Sequence, residues 1–327
     1  MKKILAVVLA ALMLFTLAAC GGAKTNTDAT NTDAAKVTNI SVGTGGPTGT
    51  YYAYTGAVCQ AIATDDIKLT YISTGGSQAN IERIRDGIDQ MAIVQNDVMN
   101  YAYAGTNGFD TAITDFSAVG CVYAEVCQLV ATKSSGIKTV ADLKGKTVAV
   151  GDAGSGVYYN AEQILAAAGI DIDEDINKVT ASFGESATQL KDGSIQAAFI
   201  TAGTPTTAIT ELATSTEVVL VDLGADVISK LMDEYTFYSE YTATSADYAF
   251  VTEDTKTVAI QATYVVSNEL SEDVVYELTK NLWEKKDSIS HAKAGEMDIN
   301  KATTGVGNVP LHPGAAKYYK EAGIIAE

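Results

Sequence analysis

Two stretches of the sequence carry the residues best suited to chemistry, and they are nearly the same stretch. ISVGTGGPTGTYYAYTGAVCQAIA, from Ile40 to Ala63, recurs as VAVGDAGSGVYYNAEQILAAAG, from Val148 to Gly169. Each copy reads as a β-branched run, a glycine loop, and a paired tyrosine that opens an amphipathic segment of helical period. Such a loop leaves backbone N–H groups at a helix N-terminus without intrahelical partners, and the helix dipole adds partial positive charge there. The chemistry is anion binding. Glycine lets a ligand approach the main chain closely, and the hydroxyls of Thr44, Thr48, Thr50 and Ser155 can donate further bonds. Each turn alone is also what an ordinary capped strand-to-helix connection looks like. Two copies, however, could grip one ligand from two sides.

Catalysis finds little support. The chain has two histidines, His291 in a lysine-flanked segment and His312 in PLHPGA, which reads as a turn. No cysteine–histidine cluster has metal-ligand spacing. The glycines of GTGGPTG depart from the GxGxxG dinucleotide fingerprint. No enzyme, metal or cofactor is expected. The two arginines, Arg83 and Arg85, sit beside an Asp-Gly helix terminator, at the far end of a helix from its ligand-facing start. They are therefore expected at the surface rather than as a bidentate carboxylate clamp.

A second repeat sets these loops in a larger frame. SQANIERIRDGIDQMAIVQND, from Ser77, matches ESATQLKDGSIQAAFITAGTP, from Glu185. Both read as a helix, an Asp-Gly stop (Asp86-Gly87 and Asp192-Gly193), a strand and a polar loop. Right-handed βαβ crossovers place all the loops at the carboxyl ends of the strands, so a ligand site belongs where the loop edges of two such halves meet. VGCVYAEVCQLVATKSSGI carries the chain across, and KTVAIQATYVVSNEL reads as the strand that returns it. Two crossings suit a hinge.

The ends and the composition bound the rest. MKKILAVVLAALMLFTLAAC resembles a bacterial lipoprotein signal, with Leu17, Ala18, Ala19 and Cys20 as a lipobox whose cysteine is diacylated and becomes the first residue after cleavage. Residues 1–19 are then the signal peptide. Residues 20–36 are small and polar without apolar periodicity, and read as a flexible stalk from a lipidated Cys20. No later segment is apolar enough over its length to span a bilayer, so membrane attachment is expected through the lipid alone, on the extracytoplasmic side. Cleavage would leave 20 basic against 40 acidic residues. That balance argues against nucleic acid as a partner. Of the remaining cysteines, Cys121 and Cys127 lie six apart on one strand, beyond disulfide reach, and Cys59 sits at a core position. Three reduced cysteines are expected.

Together, GTGGPTGTYY, STGGSQANI, AIVQND, DLKGKTVAVGDAGSG, GTPTTAI and VPLHPGAAKYYKEAG resemble the TAXI family, the TRAP-associated extracytoplasmic immunogenic proteins, over nearly the whole chain after the stalk. The resemblance implies an α/β, two-lobed periplasmic-binding-protein-like fold of type II. Each lobe is a mixed sheet flanked by helices, with the ligand cleft between lobes. It further implies a monomeric solute-binding protein that closes on a small organic anion such as glutamate or 2-oxoglutarate and delivers it to TRAP membrane subunits. An ABC-transporter binding lipoprotein and a surface adhesin are the alternatives. Lobe I is assigned to residues 37–127 and 256–327, and lobe II to residues 128–255. The candidate ligand residues are Thr44, Gly45, Thr48 and Tyr51 of the first loop, and Thr74, Gly76 and Ser77 of STGGS. Gln95 and Asp97 follow at the next strand end, then Ser155 and Gly156 of the second loop, and Thr204. Ser155 is expected to open the second helix. Asp97, if it faces the cleft, favours an amino acid over a keto acid. As an N-cap or Asx-turn it would serve the following helix instead.

Overall fold

The structure, a computed structural model, describes residues 37–326. The signal peptide, the stalk and Cys20 lie outside the described residues.

The first unit alternates strand and helix. β1 (Thr38–Gly43) points Ile40 and Val42 into the core, and α1 (Thr50–Ile62) follows the glycine loop. After β2 (Ile67–Ile72) come α2 (Ser77–Arg85), β3 (Met91–Gln95) and α3 (Asn96–Ala104). The long strand β4 (Phe116–Thr132) leads into the second unit, built as β5 (Thr147–Ala149), α4 (Val157–Ala167), β6 (Asn177–Val179), α5 (Phe183–Asp192), β7 (Ala197–Ala202) and α6 (Thr207–Ala213). β8 (Val218–Leu220), α7 (Ala225–Glu234) and β9 (Ser239–Ala243) precede the second long strand, β10 (Thr255–Ser267). α8 (Glu272–Glu284) and α9 (Pro313–Glu321) pack against each other near the end, with His312 capping α9 ahead of its first-turn proline.

All ten strands join one sheet in the order β2-β1-β3-β10-β4-β7-β5-β6, with β8 beside β4 and β9 beside β10. The outer thirds repeat each other: β2-β1-β3 on one side and β6-β5-β7 on the other, each all-parallel. The repetition reaches single bonds. Ser41 N donates to Gln90 Oε1 and Thr147 N donates to Gln196 Oε1, both at 3.0 Å. Both Asp-Gly stops end helices as expected, with Gly87 at φ 69° and Gly193 at φ 82°. β4 pairs antiparallel with β10 along its first part and with β7 and β8 along its last, so it belongs to both units. Around this spine lies the two-lobed type II architecture. Tyr54, Tyr264 and Tyr319 anchor one apolar core, and Leu129, Ile164 and Ile260 lie in another.

The three cysteines among the described residues, Cys59, Cys121 and Cys127, are free and buried. Arg83 forks onto Asp89 (2.6 and 3.2 Å) and Arg85 onto Asp86 (2.8 and 3.2 Å), away from the glycine loops.

Candidate functional site

The glycine loops of the two units touch. Ala79 N donates to Gly154 O across the gap (3.0 Å), Ala208 N to Thr48 O (3.2 Å), and Thr50 Oγ1 to Gly203 O (3.0 Å). Tyr159 Oη donates to Gln78 Oε1 at 2.9 Å. The approach is close enough to require glycine: a Cβ on Gly75 would lie 2.5 Å from Ala153 O, and Gly76 holds φ 114° beside Ser155.

Between the loops is a cavity of about 60 Å³, roughly the space of four or five waters. Its walls come from duplicated positions. The N-caps of α1 and α4 (Gly49, Gly156), those of α2 and α5 (Gly76, Ser182), and the final or penultimate residues of β3 and β7 (Gln95, Thr201) all line it. Four helix N-termini therefore converge on one small volume. Three of them, at Gly49, Gly76 and Gly156, have no side-chain cap. The fourth is already closed, because Ser182 and Glu185 form a capping box over α5. No lysine or arginine among the described residues lines the cavity. Its positive character comes from bare backbone N–H groups and aligned helix dipoles. Ser155, 6% exposed, also lines it, and its buried hydroxyl has no hydrogen-bond partner among the described residues. A buried polar group left unpaired is costly, and a ligand oxygen would remove that cost.

One wall is acidic. Glu125, from the middle of β4 and 1% exposed, accepts a hydrogen bond from Tyr51 Oη at 2.5 Å. Burial pushes its carboxyl up to about 8, against the Tyr51 bond, which lowers it; neighbouring Asp97 raises it and Lys293 lowers it. Beneath Gln95 runs a polar seam centred on Asn160 of α4. Asn160 Oδ1 accepts from Gln95 Nε2 and Thr201 Oγ1 (2.9 Å each), and its Nδ2 donates to Asp97 Oδ2 and Tyr238 Oη (2.9 Å each). Asp97 is wholly buried, and burial raises it to about 6 despite bonds from Val98 N, Gln95 and Asn160.

Of the residues proposed from sequence, the structure brings Gly45, Tyr51, Gly76, Ser77, Gln95, Ser155 and Gly156 to the cavity. The other five stand behind it. Thr44 donates to Ile72 O, Thr74 ties its loop to the first through Thr44 O and to α2 through Asn80, and Thr204 bonds Asp247. Thr48 meets the opposite unit through its carbonyl, and Asp97 turns its Oδ1 to Val98 N in the first turn of α3. Ser155 precedes the helix by one more residue than expected, because Gly156 is the N-cap of α4. Tyr52 packs on Tyr71 and Tyr158 lies under Lys178, so neither walls the cavity, while Tyr159 packs against Tyr101 and Phe109. The residue that sequence reasoning missed is Glu125. Its signal was present, as a lone acid inside the apolar run of GCVYAEVCQLVAT. Asp152, Val157, Thr201, Ser182 and Phe183, which also line the cavity, were missed with it.

Among the described residues no cluster of histidine, cysteine, aspartate and glutamate could hold a metal ion, and no helix is long and apolar enough to cross a membrane. The model of the NMT1-like family matches residues 42–323. A solved protein of Bordetella bronchiseptica RB50 is similar at 15% identity, covering 88% of this chain and 81% of its own, with TM-score 0.53. A structure described as a periplasmic transporter is similar at 15% identity, over 87% and 92%, with TM-score 0.51. A third concerns glutathione import via GshT and the cystine ABC importer TcyBC of Streptococcus mutans; it is 13% identical over 80% and 96%, with TM-score 0.51. At these identities the likeness is one of fold.

Proposed function

The chain belongs to the NMT1-like family, and on that footing we propose that it is an extracytoplasmic solute-binding protein that closes two lobes on a small carboxylate or amino acid and hands it to a membrane permease. The observation that carries this reading is the cavity itself: three helix N-termini without side-chain caps, and Ser155 with a buried hydroxyl that has no partner among the described residues, line a volume sized for a small solute. Those N–H groups suit a carboxylate without any arginine. The lobes are taken as residues 37–127 with 256–327, and residues 128–255, hinged where β4 and β10 run between them. The protein acts as a monomer, tethered by a lipid on Cys20.

The TAXI resemblance supports a TRAP permease as the receiving partner, with glutamate or 2-oxoglutarate as cargo. The fold shared with the structure from the Streptococcus mutans ABC-importer work supports an ABC permease equally well. Adjacent genes discriminate between them, fused TRAP membrane subunits on one side and an ATPase on the other. A binding role is tested by a thermal-shift panel of amino acids, keto acids and dicarboxylates. A binder raises the melting temperature with concentration by mass action, and small-angle scattering at saturation shows a smaller radius of gyration. A panel without a concentration-dependent shift refutes the proposal.

A further inference from the structure

We infer that the ligand is a small aliphatic α-amino acid, its carboxylate at the bare helix N-termini, its ammonium on Glu125 and its side chain against Val157 and Phe183. The inference rests on the binding role proposed above and narrows its cargo.

The argument comes from how the duplicated positions have diverged. The first helical residues of α1 and α2 are Thr50 and Ser77, both hydroxyl-bearing. Their counterparts at the starts of α4 and α5 are Val157 and Phe183. All four line the cavity, and Ala202 extends the apolar side. At the helix starts a symmetric device has thus become polar on one side and apolar on the other, although Asp152, Ser155, Ser182 and Thr201 also line the second side. The caps differ in the same sense: Gly76 offers no side-chain cap, and of the first-turn N–H groups of α2 Ala79 N is met by Gly154 O, whereas Ser182 is closed by Glu185. A second ligand carboxylate pointing toward the apolar wall would find its helix end already neutralised.

Glu125 completes the assignment. Tyr51 takes one of its oxygens, and no other hydrogen bond reaches this buried side chain among the described residues. Lys293, the nearby cation, is held by Glu296 at 2.5 Å and lies behind Gly203. The carboxyl of Glu125, held protonated by burial, lines the cavity with an oxygen to spare and ionises against a ligand that brings its own positive charge, its proton passing to solvent. A carboxylate seat and an ammonium seat a few ångströms apart, with an apolar wall beside them, describe an α-amino acid. A volume of about 60 Å³, roughly the space of four or five waters, favours the shortest side chains, alanine ahead of valine and leucine.

The test is isothermal titration calorimetry with L-alanine, L-valine, L-leucine, L-glutamate, 2-oxoglutarate and 3-methyl-2-oxobutanoate, the keto analogue of valine. An aliphatic amino acid is expected to bind at least tenfold tighter than L-glutamate, and valine at least tenfold tighter than its keto analogue. Glu125→Gln, which keeps the shape and the acceptor for Tyr51, is expected to erase the amino-over-keto preference with the fold intact by circular dichroism. Phe183→Ser is expected to narrow the gap between valine and glutamate. Tightest binding of glutamate or 2-oxoglutarate overturns the inference and leaves the binding role standing. Equal affinity for valine and its keto analogue overturns the ammonium seat, using the unaltered protein alone. Binding of none of the six overturns the inference, and the thermal-shift panel then decides the wider role.

Discussion

Replacing Glu125 by glutamine should change how the stability of the empty protein depends on pH. The carboxyl is pushed from its ordinary 4.5 up to about 8, chiefly by burial. Tyr51, Tyr123, Asp97, Cys127 and Lys293 are the titratable groups that face it. A carboxyl whose folded value lies above its unfolded value keeps its proton longer in the folded state. Its contribution is present in full below about 4.5 and is lost as pH rises through about 8. Integrating the linkage relation between pH 5 and pH 8 gives a loss of about 3 kcal/mol from this one group. Glutamine has no proton to lose and keeps the volume. Urea unfolding of both proteins at pH 5 and pH 8 isolates the effect, because the double difference cancels the titrations of groups that do not face Glu125. The wild type should lose about 3 kcal/mol more than the variant across this range. A double difference within about 0.5 kcal/mol of zero would mean that Glu125 is ionised and well solvated when folded, and the closed acidic wall would have to be abandoned.

Three further outcomes follow from the geometry. Gly75→Ala places a methyl 2.5 Å from Ala153 O, so it should hold the loops apart, leave the melting temperature of the free protein nearly unchanged and cut ligand affinity by about tenfold or more, the worth of one or two lost hydrogen bonds; scattering at saturating ligand should show a larger radius than wild type, and an identical radius refutes the steric argument. Ser155→Ala removes a hydroxyl that has no partner among the described residues, so stability should hold or rise while affinity falls about tenfold, and unaltered affinity by calorimetry removes Ser155 from the site. Tyr123→Phe deletes another buried hydroxyl without a partner among the described residues and should leave the melting temperature equal or higher; a loss above about 1 kcal/mol shows that the hydroxyl is bonded after all.

The parts of the site visible in the sequence were those written in backbone grammar. Glycine loops before helices, Asp-Gly stops and the repetition of both located the cavity, because each reports a local conformation that neighbouring residues dictate. What the sequence concealed were directions. Thr44, Thr74 and Thr204 carry the right hydroxyls in the right loops, yet the path of each loop turns them onto Ile72 O, Thr44 O and Asp247. Their choice between cavity and loop depends on contacts made tens of residues away. Glu125 was hidden for the opposite reason. Alternation along a strand assigns each side chain a face, but which face of β4 looks into the cleft depends on β7 and β10 beside it. Asp97, the acid that position in the sequence favoured, lies one layer below, bonded to Asn160. The fold class was more legible than the site, since two matched βαβ patterns fix an architecture without fixing a single rotamer.

The place of β10 in the sheet governs the order in which the chain can become itself. This strand, the last of the ten, lies between β3 and β4, so the first unit lacks a central member until Ser267 has been made. Pairs such as Ala262 with Gln95 and Ala259 with Val126 join residues well over a hundred positions apart. Closing such pairs is entropically slow. The unit that begins the chain is therefore finished late, and until then the edges of β3 and β4 remain open to any other strand. A protein emerging from a ribosome or a narrow translocation pore would hold this sheet incomplete for most of its passage, long enough for a chaperone to matter.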